Sequence, residues 1–206
     1  MMLYWFCWIV FRFYFFVLLR VRVEGLEHIP ADGSFVVCSN HISWLDPLML
    51  GAAFPRQLFY MTKAEAFESP VAAGILRTVG AFPVRRHTAD RRAIRRALDL
   101  LGAGRVIAVF PEGTRSRDGR LGRAEAGAAL LAVWSGALVL PVAINGRYRP
   151  GGLALRFGQG FRLTRPATRR QAGAALQQLA DQEIMGAIAA LLPGGPRPRR
   201  IVVDPA

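Results

Sequence analysis

His41 and Asp46 stand five residues apart in the stretch NHISWLDPL, Asn40 to Leu48, which is otherwise mostly apolar. A histidine titrating near neutrality is a natural general base, and a neighbouring carboxylate fixes its tautomer and stabilises the imidazolium it becomes. Of the three histidines, His28, His41 and His87, only His41 both follows a predicted buried strand and has an acid close by. Asp46 reaches it if the chain turns between them, and the Asp-Pro start of a helix at 46–47 supplies such a turn. A plainer arrangement uses the same residues: a strand-end histidine with Asp46 capping the next helix.

The chain has no G-x-S-x-G, P-loop, dinucleotide glycine fingerprint or H-E-x-x-H. Cys38, Ser39 and Ser43 lie nearby but carry no nucleophile signature. The base is therefore expected to deprotonate a hydroxyl on a substrate, as in group transfer without a covalent enzyme intermediate. A second cluster is VFPEGTRSRDG, Val109 to Gly119, where a strand ends and a turn presents Glu112, Gly113, Thr114 and Arg115. Gly113 permits close backbone approach to a ligand, and Arg115 has the fork geometry that grips phosphate. An ordinary polar turn with Arg115 paired to Glu112 is the alternative. A third cluster, GAFPVRR (Gly80 to Arg86), places Arg85 and Arg86 at a strand end, as site residues or as a solvated basic rim.

The elements that must position these residues alternate. Strands are predicted over 35–39, 58–62, 81–85, 105–110 and 137–144, and helices over 45–53, 70–79, 89–101 and 125–135. A short strand and turn are expected around 20–27, a hairpin from 153–157 and 161–163, and the longest helix over 169–192. The pattern predicts an α/β fold with a mixed, largely parallel sheet flanked by helices.

Ahead of it, LYWFCWIVFRFYFFVLL, Leu3 to Leu19, is apolar or aromatic except for Arg12. As a helix it measures roughly 25 Å, short of the ~30 Å hydrocarbon core. It lacks the basic start and small-residue end of a signal peptide. Its aromatics suit an interface, so residues 1–22 are expected to anchor the chain to a membrane, as a short span or as a helix lying in the interface. One domain is expected over 23–192, with a Pro- and Arg-rich tail over 193–206. The net charge of +13 comes from 27 basic and 14 acidic residues, with Lys63 the only lysine; such a chain attracts polyanions, nucleic acid or an anionic membrane face. Two cysteines, Cys7 and Cys38, suggest neither a disulfide framework nor a zinc site and fit a reducing compartment.

Taken in order, N-H-x4-D, then G-x-F-x-V-R, then F-P-E-G-T-R-S, then the V-L-P-V-A-I strand resembles the glycerolipid acyltransferase family, in its bacterial 1-acyl-sn-glycerol-3-phosphate acyltransferase branch. The likeness covers roughly Val23 to Phe157. It implies that His41 is the catalytic base and Asp46 its partner. It implies that Arg85 serves glycerophosphate binding, that Glu112, Gly113, Thr114 and Arg115 serve acceptor binding, and that Pro141 lies on a strand shaping the acyl-donor site. It implies lysophosphatidic acid as acceptor and acyl-CoA or acyl carrier protein as donor. Neither metal nor bound cofactor is implied, nor nucleic acid as partner, and the protein is expected on the inner face of the cytoplasmic membrane, held to its anionic surface. The same chemistry also serves glycerol 3-phosphate, another lysophospholipid or a lyso-aminolipid. A non-enzymatic basic membrane-binding protein is the rival of another class. One departure is visible: after the third motif many members carry a Phe-Lys-x-Gly-like stretch, where this chain reads RAEAGAALLA with no lysine.

Overall fold

The central strands are continuous apolar runs, the mark of strands covered on both faces. FVVCS, strand β2 (Phe35–Ser39), is buried at every position. In the computed structural model, which describes residues 2–85, 90–116, 118–164 and 172–195, seven strands form one sheet in the order β1-β7-β6-β2-β5-β3-β4. The other strands are β1 (Arg22–Glu24), β3 (Leu58–Lys63), β4 (Ala81–Val84), β5 (Val106–Val109), β6 (Leu138–Gly146) and β7 (Leu153–Phe157). All neighbours run parallel except β6 and β7. The fold is thus α/β with a mixed, mostly parallel sheet flanked by helices, as the alternation predicts.

Alternate residues of β2 enter two different cores. Phe35 and Val37 face one layer, which holds Phe15, Met49, Leu50 and Phe54. Val36 and Cys38 face the other, with Ala97, Ala129 and Ile184. The first layer contains helix α2 (Asp46–Ala53) and the N-terminal helix α1 (Met2–Arg12). The second contains α4 (Arg91–Gly102), α5 (Gly127–Ser135), α6 (Ala172–Gln178) and α7 (Met185–Leu191), with α3 (Pro70–Thr78) near the β3–β4 edge.

Two expectations are corrected. Residues 161–163 do not form a hairpin strand with β7; β7 pairs with β6, and Phe161 makes only an isolated bridge to Val139. Nor is the C-terminal helix uniform: a π-helical segment, Leu179–Ile184, joins α6 to α7. The start of that predicted helix, 169–171, and the tail from 196 lie outside the described residues.

The N-terminal segment departs furthest from a spanning anchor. Helix α1 gives way to a π-helical segment at Phe13–Leu18, and no described helix is long and apolar enough to cross a membrane. Instead the segment packs on α2. Trp8 Nε1 donates to the Phe54 carbonyl at 3.1 Å and Arg12 donates to the Ala52 carbonyl at 2.9 Å, so two of the carbonyls that a helix C-terminus leaves open are satisfied. The guanidinium of Arg12 also lies between the rings of Trp8 and Phe16, which accounts for the one charge in an aromatic run. Phe15 is wholly buried in the first core.

Since Phe15 is core rather than lipid-facing, Phe15→Ala should destabilise the fold by about 3–5 kcal/mol, the cost of a large-to-small change in a packed interior. Denaturant unfolding in detergent checks this; a change below ~1 kcal/mol would mean that the helix packs only weakly on the domain.

Candidate active site

The site forms where parallel strands end, beside the strand at which the chain changes direction across the sheet. From β2 the chain builds β3 and β4 on one side, returns to β5, and then crosses to β6 on the other side. Asn40, just past β2, carries the pairing one step further with its side chain. Its Nδ2 donates to the Ile144 carbonyl at 2.8 Å and its Oδ1 accepts from the Ile144 N–H at 2.7 Å. The side chain satisfies what a backbone would otherwise satisfy, and the main chain is released from the sheet at His41.

His41 is buried, with Nδ1 2.7 Å from Asp46 Oδ2 and its ring stacked on Phe110 at 4.1 Å between centroids. Asp46 is fully buried. Its Oδ2 also accepts from the backbone N–H groups of Ile42 (2.6 Å) and Ser43 (2.7 Å), and its Oδ1 accepts from the Tyr148 hydroxyl at 2.5 Å. The carboxylate thus turns back over residues 41–43 rather than forward into the first turn of α2, although Asp46 and Pro47 open that helix. Tyr60 donates to the Pro47 carbonyl at 2.8 Å and pins that opening turn. With Nδ1 donating to a carboxylate, the imidazole keeps Nε2 as its basic nitrogen.

The turn after β5 grips His41 from the other side. The His41 N–H donates to Glu112 Oε1 at 3.1 Å, and the His41 carbonyl accepts from the Ser116 N–H at 2.8 Å. Glu112 Oε2 accepts from the Gly122 N–H at 2.8 Å. Glu112 is therefore bound by backbone rather than paired to Arg115, whose guanidinium stacks 3.9 Å above the Trp44 ring. Gly113 sits at φ +67°, where a side chain is strained, and an added Cβ would approach Glu125 to 3.2 Å.

A cavity of about 460 Å³ opens against His41. Thr114 and Arg115 line it with Lys63 at the end of β3, while Trp8 and Phe11 of α1, Leu48 of α2 and Leu76 of α3 supply apolar wall. Thr114 and Arg115 also line a second cleft with Arg120 and Arg123. Of the residues singled out in the sequence, His41, Asp46, Glu112, Gly113, Thr114 and Arg115 come together. Arg85 does not line the cavity: it is exposed just past β4, and its N–H donates to Asp90 Oδ2 at 3.0 Å. Pro141 is buried within β6 opposite Cys38 and does not line it either.

Sequence reasoning missed Asn40, Trp44, Lys63 and Tyr148 as parts of the site. A signal existed for Lys63, the single lysine of an arginine-rich chain at the end of a predicted strand. None existed for Tyr148, which lies 102 residues from its partner. The nearby thiol and hydroxyls are otherwise engaged. Burial pushes the Cys38 thiol up, Ser39 Oγ donates to the Asn40 carbonyl, and Ser43 Oγ accepts from the Leu45 N–H. Among the described residues no three His, Cys, Asp or Glu side chains gather as a metal-binding group.

Glu112→Gln replaces one carboxylate oxygen with an N–H₂ that must face a backbone N–H. A loss of about 1.5–3 kcal/mol is expected for this charged acceptor. Thermal unfolding beside Glu24→Gln, an exposed partner of Arg156, is the check; the surface variant should cost under ~1 kcal/mol. Equal effects would mean that the clamp on His41 carries no special weight.

The chain is 36% identical over 128 residues to the 1-acyl-sn-glycerol-3-phosphate acyltransferase of Bacillus subtilis, covering 61% of this chain and 63% of that one. It is 35% identical over 135 residues to the lyso-ornithine lipid O-acyltransferase of Pseudomonas aeruginosa, covering 65% and 50%. The chain thus spans about half to two thirds of the length of these two relatives. The crystal structure of the 1-acyl-sn-glycerophosphate (LPA) acyltransferase PlsC from Thermotoga maritima is similar with a TM-score of 0.58 at 27% identity, over 80% of this chain and 71% of that one. The Acyltransferase family model matches residues 20–145, more than half of the chain, and takes in His41, Asp46 and the turn that clamps His41. By that match the protein belongs to the Acyltransferase family.

Proposed function

We propose that the protein moves a fatty acyl group from acyl-CoA or acyl carrier protein to the 2-hydroxyl of a 1-acyl-glycerol 3-phosphate, giving phosphatidic acid in phospholipid synthesis. The observation that carries this reading is a histidine bound at Nδ1 by a buried carboxylate and set against a largely apolar cavity that also holds Lys63 and Arg115. His41 Nε2 takes the proton of the acceptor hydroxyl as its oxygen attacks the thioester carbonyl. The tetrahedral intermediate collapses with loss of the C–S bond, and the imidazolium returns the proton to the leaving thiolate. Asp46 stabilises the imidazolium between the two transfers.

The phosphate of the acceptor is assigned to Arg115 and Lys63, and its acyl chain to the apolar wall. Arg85 follows Val84, the register partner of Lys63, and so stands at the same end of the sheet, within the region where an anionic headgroup is drawn in. Glu112 and Gly113 act in acceptor binding by shaping the turn that presents Thr114 and Arg115. Pro141 acts on the donor side only through the course of β6. The similarity to a lyso-ornithine lipid O-acyltransferase supports a second reading in which the acceptor is another lysolipid.

The N-terminal helix is assigned to the membrane interface. Trp5, Phe6, Ile9, Val10, Phe13 and Val17 are exposed along it, while Phe15 and Leu19 are buried, and Trp44, Val71 and Ile75 add further exposed apolar groups. A helix with one face in the core and one apolar face outward suits a monotopic position, and the excess of arginine favours an anionic surface such as the inner face of the cytoplasmic membrane. Phe6→Ser with Val10→Ser should reduce sedimentation with phosphatidylglycerol vesicles at least ~10-fold while leaving unfolding unchanged. Undiminished binding would remove the helix from the membrane contact.

Thiol release from an acyl-CoA tests the reaction. It should require lysophosphatidic acid and fall about 10²–10⁴-fold in His41→Ala, the usual contribution of a general base. Release without acceptor would mean thioester hydrolysis and sink the transfer reading; a preference for a lyso-aminolipid would select the second reading.

A further inference from the structure

The shell of Asp46 contains one donor that comes from outside the segment 41–46 and outside the residues matched by the family model, the hydroxyl of Tyr148. We infer that Tyr148 is a positioning residue that sets the basicity of His41 through the far oxygen of Asp46. This rests on the reading of His41 as the general base.

Without Tyr148, Oδ2 would have three donors and Oδ1 none that the structure shows, on a carboxylate with no exposed surface. A buried carboxylate oxygen without a donor is costly, and its charge is then concentrated on the other bonds. The phenol disperses that charge, weakening the pull of Asp46 on the His41 Nδ1 proton. Removing it therefore favours the imidazolium over the neutral ring.

The hydroxyl is held in the donor role. Burial, and then the adjacent Asp46 carboxylate, push the Tyr148 phenol well above its ordinary range, so it remains protonated. Its position is fixed from the N-terminal segment: Phe15 meets the Tyr148 ring edge-on at 6.3 Å, and the Gly151 N–H of the same β6–β7 connection donates to the Leu19 carbonyl at 2.9 Å. Tyr148 does not line the cavity, so its effect on substrate is indirect. The other ionisable groups around the pair are Glu112 at the His41 N–H, Lys63, Arg115, Tyr4, Cys7 and Tyr60 around the cavity, and Tyr14 on the N-terminal segment facing Tyr148. None of these changes when Tyr148 alone is substituted.

Tyr148→Phe keeps the ring against Phe15 and removes the hydroxyl, with its bond to Asp46 and its contacts with Ser43 and Met49. The His41 ring titration, followed by NMR of the full-length protein in detergent and assigned by its loss in His41→Ala, should move up by about half to one pH unit. The acid limb of kcat should move with it, a roughly 3- to 10-fold fall in rate at a pH below the limb, with KM for both substrates unchanged. An unmoved midpoint in a folded variant overturns the inference and leaves Tyr148 as packing. If Tyr148→Phe does not fold, 3-fluorotyrosine at position 148 retains ring and hydroxyl as a stronger donor; the midpoint should then move down, and failure to do so overturns it equally. Because the ring titration needs no substrate, a shifted midpoint in a protein without acyl transfer would sink the proposed reaction and not this inference.

Discussion

A carboxylate wholly removed from water has to be solvated by the protein, and most of the site follows from how Asp46 is solvated. Its donors come from the His41 ring, from the backbone turn at 42–43 and from a tyrosine in the β6–β7 connection. The turn requires the chain to leave the sheet right after β2, and Asn40 makes that possible by substituting its amide for the next rung of the ladder. The same departure exposes the main chain of His41, which Glu112 and Ser116 then take up. Each of these bonds answers an otherwise open polar group in an interior where leaving one open costs about 1–3 kcal/mol.

This arrangement divides labour among residues that look alike in sequence. Asp46 and Glu112 are both acids in the segments that follow predicted strands, yet one faces the His41 ring and the other holds backbone. Arg12 and Arg115 are both stacked on tryptophan, but Arg12 closes the end of α2 while Arg115 lines the cavity. Residue type sets what a side chain is able to do; its neighbours in space decide which of those things it does.

That distinction also marks how much was legible beforehand. Strands β2, β3 and β5 were readable as short apolar runs, and α4 as a periodic helix whose start is fixed by the Asp90 cap. The His41–Asp46 pair was readable because a turn is a local event. The role of Glu112 was not, since a carboxylate clamping backbone 71 residues away has the same letter as one binding a ligand. Tyr148 was invisible for the same reason, and the N-terminal segment was readable as apolar but not as half core. Its hydropathy does not distinguish a face turned to lipid from one turned to Phe54 and Met49, which are equally apolar.

The place of β2 in the sheet bears on how the chain is made. Its neighbours are β5 and β6, roughly 70 and 100 residues later in sequence. As the chain emerges from the ribosome, β2 stands with both edges unpaired and with an apolar surface on each face. It waits for its partners beside an equally apolar N-terminal helix, and pairing over such separations is slow to form. An open edge of this kind is a template for adhesion to other chains. The strand that ends at His41 is thus exposed to such adhesion until β5 and β6 arrive, and the N-terminal segment, through Phe15, covers one of its two faces.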